Sequence, residues 1–227
     1  MAPKPASHDA VAAALGLEIL SGARAPGSRM LTVAEMRDRF GRSRVLLREV
    51  TKTLVAKGMV VTKSRVGTHV LPPEHWNWFD PDVLAWRVQL GLDARFLAQL
   101  GEMRRAVEPT AAALAAVNRG DADLAAMRAA TEAMAGEGFA RADLAFHIAV
   151  ATASGNPLFR AFAGVIEAAL AASLSESSPR DPADAARTAA RHQAIVDAIE
   201  ARDAGTAAAR MLTVIDEGLA RFTKDSA

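Results

Sequence analysis

Cysteine is absent from the 227 residues, which excludes disulfides and thiolate metal sites and fits a reducing compartment. Aromatic residues make up only 5% of the chain while hydrophobic residues reach 51%, led by alanine and leucine. That is the composition of a mostly helical protein with an aliphatic core. No uninterrupted apolar run reaches membrane-spanning length, and even the 161–172 stretch contains Glu167. The opening MAPKPASHDA lacks the apolar core of a signal peptide, and no period suggests a solenoid. A soluble, cytoplasmic protein is expected.

The net charge of +1 conceals a division within the chain. Residues 1–71 hold 12 Lys and Arg against 5 Asp and Glu, a formal +7, and residues 72–227 hold 15 against 21, a formal −6. A basic module is what phosphate neutralisation requires, whereas an acidic one is better placed away from DNA. The length allows one or two domains and the charge break favours two.

Within the basic part, Ser43 is a helix cap, and the residues after it separate into two stripes. Leu47, Val50 and Leu54 fall on one face; Arg44, Arg48 and Lys52, four residues apart, fall roughly 130° away around the axis. Upstream, Val33, Met36 and Phe40 suit a short scaffold helix starting near Thr32, and Gly41 makes the turn. After Gly58, two β-prone stretches, Met59-Val60-Val61 and Thr68-His69-Val70, flank a cationic hairpin tip, Lys63-Ser64-Arg65-Val66-Gly67. These are the parts of a winged helix-turn-helix. Taken alone, the three cations read equally well as a solvated helix face.

Pro72-Pro73 and the cluster HWNWFDPD mark a boundary, and all three tryptophans, Trp76, Trp78 and Trp86, lie in or next to it. A stacking platform for nucleic acid needs basic residues interleaved with the rings, and these are missing. The rings are expected to glue the linker onto the C-terminal domain. Residues 1–71, 72–80 and 81–227 are thus expected to be a DNA-binding domain, a linker and an all-α bundle. The bundle helices are expected near 81–90, 93–118, 121–135, 138–154, 156–175, 183–202 and 204–223, between glycine-containing breaks. The SLSESSPRDPAD stretch at 173–184 reads as a long loop, either a lid over a site or a disordered connector.

Two constellations in the bundle carry chemistry. Asp143 and His147, four residues apart, project to one side of a helix, and His192 opens HQAIVDAI on a later one. A carboxylate and imidazoles suit a divalent ion of the zinc, nickel, iron or manganese type, although a surface Asp–His pair accounts for the same spacing. Arg104, in EMRRAVEP, would need an anionic partner if it faces inward. A ligand carboxylate would serve through a bidentate pair, and so would Glu102 or Glu108.

The stretch PGSRMLTVAEMRDRFGRSRVLLREVTKTLVAKGMV with the wing VGTHV resembles the winged helix-turn-helix of GntR-type transcription regulators. EMRRAVEPTAAALAA, DLAFHIAVATASGNPLF and HQAIVDAIEARD resemble the all-helical ligand-binding FCD domain of the FadR subgroup. The linker HWNWFDPDVLAW is similar to that of regulators answering to galactonate and related sugar acids. The resemblance implies DNA contacts at Ser43, Arg44, Arg48 and the wing-tip Gly67; Lys52 and Arg65 join them from the charge pattern. It further implies metal ligation by Asp143, His147 and His192, the same residues lining the effector site, with Arg104 gripping the effector's carboxylate. The chain departs from the pattern in two places. Met30-Leu31-Thr32-Val33 stands where Leu-Pro-Ser/Thr-Glu is common, followed by Ala34 where an arginine is common. Val214 stands where many FCD domains supply a further histidine, so a fourth protein ligand is missing, and water or effector oxygens would fill open positions. Direct hydrogen bonding of sugar hydroxyls by the same three side chains, without metal, is the other reading.

The expected protein is a homodimeric repressor of sugar-acid catabolism genes, released from a pseudo-palindromic operator by the acid. A hydroxy acid or dicarboxylate as effector is the nearest alternative. A metal-dependent enzyme lacks an evident general base, and a structural nucleoid binder leaves the acidic bundle without a role.

Overall fold

A computed structural model describes residues 7–91, 93–136, 138–162 and 181–224, arranged as two compact units, Met1–Gly91 and Leu92–Ala227. The expected helix at 156–175 and loop at 173–184 fall largely outside the described residues, where 157–162 are helical.

The first unit opens with α1 (His8–Leu20), capped by the Ser7 hydroxyl, and continues with α2 (Val33–Phe40) and α3 (Arg44–Ala56). Thr32 begins α2 through a reciprocal capping box: its hydroxyl accepts from Glu35 N, and the Glu35 carboxylate accepts from Thr32 N. Gly41 ends the helix in the left-handed region at φ 63°, where a side chain is disfavoured. The Ser43 hydroxyl then accepts from Leu46 N at 3.2 Å and starts α3. Leu47, Val50 and Leu54 are fully buried and pack with Val11, Leu15 and Ile19 of α1. At about 1.5–3 kcal/mol for each large apolar side chain, this contact fixes which face of α3 turns outward.

Strands β1 (Val60–Lys63) and β2 (Gly67–Val70) form an antiparallel hairpin with Val60 opposite Val70 and Lys63 opposite Gly67. Residues 27–30 run beside β2: Met30 N donates to Thr68 O and Val70 N to Ser28 O. Arg29 forms a bridge with His69.

A 3-10 turn (Pro73–His75) leads to α4 (Pro81–Gln89), whose N-terminal amides at Asp82 and Val83 are accepted by the Asp80 carboxylate. The tryptophans differ from expectation. They pack into the first unit, where Trp76 and Trp86 join the core of α1, α3 and β1 and Trp78 lies against it. Two observations explain this. Any Cβ at Gly16 would overlap the Trp86 ring, so the glycine is the seat for that indole. Lys57, at the end of α3 and only 6% exposed, donates to Asp80 Oδ1 at 2.6 Å and Asp82 Oδ2 at 2.7 Å. Gly58 permits the approach, since a Cβ there would overlap the carbonyl oxygen of His75.

Helices make up most of the second unit's described residues: α5 (Ala94–Asn118), α6 (Asp121–Ala133), α7 (Phe139–Ala153), α8 (Pro182–Glu200) and α9 (Ala204–Lys224), with the helical stretch 157–162 after α7. Helix α5 packs along α9 and against α7, and α6 lies between α7 and α8. Buried alanines such as Ala112, Ala115 and Ala116 let the helices approach closely, while Met127, Phe146, Ile195, Ile199, Met211 and Ile215 fill the space between them. No described helix is long and apolar enough to cross a membrane.

Candidate functional site

Helix α7 places Asp143 and His147 one turn apart, and α8 brings His192 to them. His147 is 6% exposed and His192 1%. His192 Nε2 lies 3.0 Å from Asp143 Oδ1, and His147 Nε2 lies 3.8 Å from the same oxygen. The ligand atoms of all three residues fall within 4.8 Å of one another. Phe146 stands edge-on to both imidazoles, with centroids 5.5 Å from His147 and 4.9 Å from His192, and closes the group against the core.

Arg104, on α5, enters the same group. It is 6% exposed, donates through Nε to Glu108 Oε1 at 2.6 Å and through Nη2 to Oε2 at 3.3 Å, and its Nη2 is also 3.3 Å from His147 Nε2. Glu108 Oε2 in turn lies 2.7 Å from His147 Nδ1. The neighbouring Arg105 is exposed and pairs with Asp216. Of the two internal carboxylates weighed for Arg104, Glu102 and Glu108, the structure pairs it with Glu108.

The partners fix the protons. Arginine only donates, so His147 Nε2 accepts from Arg104, and the ring proton of a neutral His147 sits on Nδ1, facing Glu108. The Thr188 carbonyl only accepts, so His192 Nδ1 donates to it, at 2.8 Å. His147 Nε2 is thus taken by Arg104, while His192 presents its Nε2 to Asp143. Burial by itself would raise the Asp143 pKa, but His192, His147 and Arg104 outweigh it and hold the carboxyl well below its usual range. Burial likewise opposes ionisation of Glu108, yet the charge of Arg104, with His147, pulls it down to about 2. Both acids are carboxylates at neutral pH.

His192 Nε2, 3.0 Å from Asp143 Oδ1, is a buried nitrogen without a well-directed hydrogen bond among the described residues. His147 Nδ1 is another, because its N–H is not aimed along the short line to Glu108. One ionised carboxylate and two buried imidazoles, with ligand atoms within 4.8 Å of one another, make the donor set that a divalent ion of the zinc or nickel type binds. Val214 is partly buried beside the core and supplies no donor atom. A cavity of about 10 Å³, the room of one water molecule, borders Glu108 and His147 between Leu144, Val150, Phe159 and Met211.

In the first unit, Ser43, Arg44, Arg48 and Lys52 are exposed on or next to α3, away from the packed stripe. Arg65, at φ 63°, and Gly67, at φ 104°, shape the hairpin tip. A concave surface of about 630 Å³ lies between α3 and the hairpin. Arg29, Arg48 and Lys52 line it together with Thr62, Gly67 and Thr68, and no carboxylate does.

Residues 8–70 match the model of the gntR family of bacterial regulatory proteins, and residues 99–217 match the FCD domain. The chain belongs to the GntR family and carries an FCD domain. It is 32% identical over 219 residues to the galactonate operon transcriptional repressor of Escherichia coli (strain K12), covering 94% of this chain and 96% of that protein. It is 28% identical to a putative L-lactate dehydrogenase operon regulatory protein of the same organism, over 91% of this chain and 82% of that one. A solved structure titled "Lar controls the expression of the Listeria monocytogenes agr system and mediates virulence" superposes with a TM-score of 0.63 at 19% identity, over 97% and 99% of the two chains. The protein is therefore a transcriptional regulator and not an enzyme, with a DNA-binding helix-turn-helix and a domain that implies a small-molecule effector.

The regulator's buried group includes one residue that the sequence reading named only as an alternative, Glu108. The signal was available: Arg104 and Glu108 stand four apart on one helix, as Asp143 and His147 do, so each pair shares a face. Lys57 had no comparable signal, because Asp80 and Asp82 lie 23 and 25 residues away in sequence.

Proposed function

We propose that this GntR-family protein is a cytoplasmic, homodimeric repressor that a sugar acid of the galactonate class releases from its operator. The observation that carries the reading is the buried set Arg104, Glu108, Asp143, His147 and His192, within a chain 32% identical along nearly its full length to a galactonate operon repressor. Asp143, His147 and His192 would hold a divalent ion. When bound, the ion supplies open coordination positions for the effector's carboxylate and hydroxyl oxygens. Arg104 receives the carboxylate in a bidentate pair, for which Glu108 must yield.

On the DNA side, Ser43, Arg44, Arg48 and Lys52 enter the major groove with α3, and Arg65 and Gly67 bring the wing to the adjoining backbone. Two such helices about 34 Å apart would read two half-sites. Release requires the effector to favour a second arrangement of the dimer, and reversing a 1:99 population takes about 5.5 kcal/mol of differential binding. A charge-assisted bidentate pair in a buried site, with oxygen contacts at the ion, can contribute much of that.

The relative named for L-lactate dehydrogenase keeps a smaller hydroxy acid as the second reading, since the same arginine and ion would suit it. Calorimetric titration of the zinc-loaded protein with galactonate, L-lactate and a dicarboxylate separates them. Saturable binding of galactonate alone is expected. Binding of L-lactate or the dicarboxylate in its place would replace the ligand and leave the regulator.

A further inference from the structure

Resting on the metal reading above, we propose that Glu108 is a positioning residue for the metal-binding face of His147 and that Arg104 competes with the ion for that face. The pair then sets metal affinity in opposite senses.

His147 is contacted from both sides. Glu108 Oε2 sits 2.7 Å from Nδ1, and Arg104 Nη2 sits 3.3 Å from Nε2. A histidine that ligates through Nε2 is strengthened when its other nitrogen faces a carboxylate: the tautomer is fixed and the ligating nitrogen becomes more basic. Glu108 stands at that position, 8% exposed and anchored by Arg104 through both oxygens, close to Nδ1 but off the line of its N–H. His192 is served in the same way by the Thr188 carbonyl, which is neutral. The charged version is therefore specific to His147.

The other face is contested. A zinc-type ion stands about 2.0–2.1 Å from an imidazole nitrogen. Nε2 has one lone pair, and Arg104 already donates to it, so the ion and that guanidinium hydrogen bond exclude each other. With an ion held at Nε2, Arg104 Nη2 would have to leave His147. An effector carboxylate pairing with Arg104 draws the guanidinium off Nε2 as well. Metal and carboxylate consequently bind cooperatively, and by linkage each raises the other's affinity by the same factor.

The test is a zinc titration, by competition against a chelating indicator, of full-length wild type, Glu108→Gln and Arg104→Met after metal stripping. Glu108→Gln keeps the shape and removes the charge, and its zinc affinity is expected to fall about 10- to 100-fold. Arg104→Met removes the competitor and is expected to bind zinc more tightly than wild type. Arg104→Gln repeats the test if the methionine variant loses its helical circular dichroism. A purely structural role predicts the same direction for both changes, so loss of affinity in both, or no change at Glu108→Gln, overturns the proposal while leaving the metal site intact. Absence of zinc uptake by the wild type would instead remove the metal reading, and this inference with it.

Discussion

Replacing Arg104 by methionine should destabilise the bundle far more than replacing Arg104 and Glu108 together by apolar residues. Alone, the change strands the Glu108 carboxylate, 8% exposed, beneath α5. Breaking a buried pair by removing one partner costs about 3–5 kcal/mol. Glu108 keeps His147 Nδ1 at 2.7 Å, which places the cost near the lower end, about 3 kcal/mol. In a chain of this size that lowers the melting temperature by roughly 6–12 °C. The double change, Arg104→Met with Glu108→Leu, exchanges the ion pair for apolar contact and is expected to lie within about 1 kcal/mol of wild type or above it. Urea unfolding followed by far-ultraviolet circular dichroism is the appropriate assay. Trp76, Trp78 and Trp86 all pack in the first unit, so tryptophan fluorescence reports the other half of the chain. A single-variant loss below about 1 kcal/mol, or a double variant equal to the sum of the two singles, would falsify the buried-pair argument.

Lys57→Met removes the cation that joins the end of α3 to Asp80 and Asp82; a loss of about 1–3 kcal/mol is expected, detected as an earlier tryptophan fluorescence transition in urea. Arg48→Ala should weaken operator binding and reduce the slope of log affinity against log salt by about 1, read by fluorescence anisotropy at several salt concentrations; an unchanged slope would place Arg48 off the backbone. The folded Glu108 carboxyl has its pKa lowered from the ordinary 4.5 to about 2, so its stabilisation is complete above about 4.5 and is lost as the pH falls toward about 2. Urea midpoints at pH 6 and pH 3 should therefore fall for wild type and less for Glu108→Gln. Equal losses in both would contradict that assignment.

The helix-turn-helix was legible because two signals with different causes coincide on α3. Ser43 caps its start, and Leu47, Val50 and Leu54 separate cleanly from Arg44, Arg48 and Lys52. Helix α1 carries no such division: apolar side chains surround most of its circumference, which conceals the buried face. The tryptophans announced burial but not the partner. Which unit receives them depends on a seat at Gly16 and an ion cluster at Lys57, and both are contacts between residues far apart in sequence. In the bundle, spacing placed Asp143 with His147, the resemblance joined His192 to them, and the fold brings all three within 4.8 Å. The spacing of Arg104 and Glu108 offered their pairing, but the contact of Glu108 with His147 follows only from distances.

Controlled release from DNA is the central claim, and a gel shift on the intergenic DNA beside this protein's own gene tests it most directly. The titration is run with the zinc-loaded full-length protein at one fixed salt concentration, adding galactonate. The predicted result is tight, sequence-selective binding that galactonate reverses in wild type and fails to reverse in Arg104→Met. Tight binding that no concentration of galactonate disturbs would contradict the proposed effector, and binding without sequence preference would contradict the operator-reading role itself.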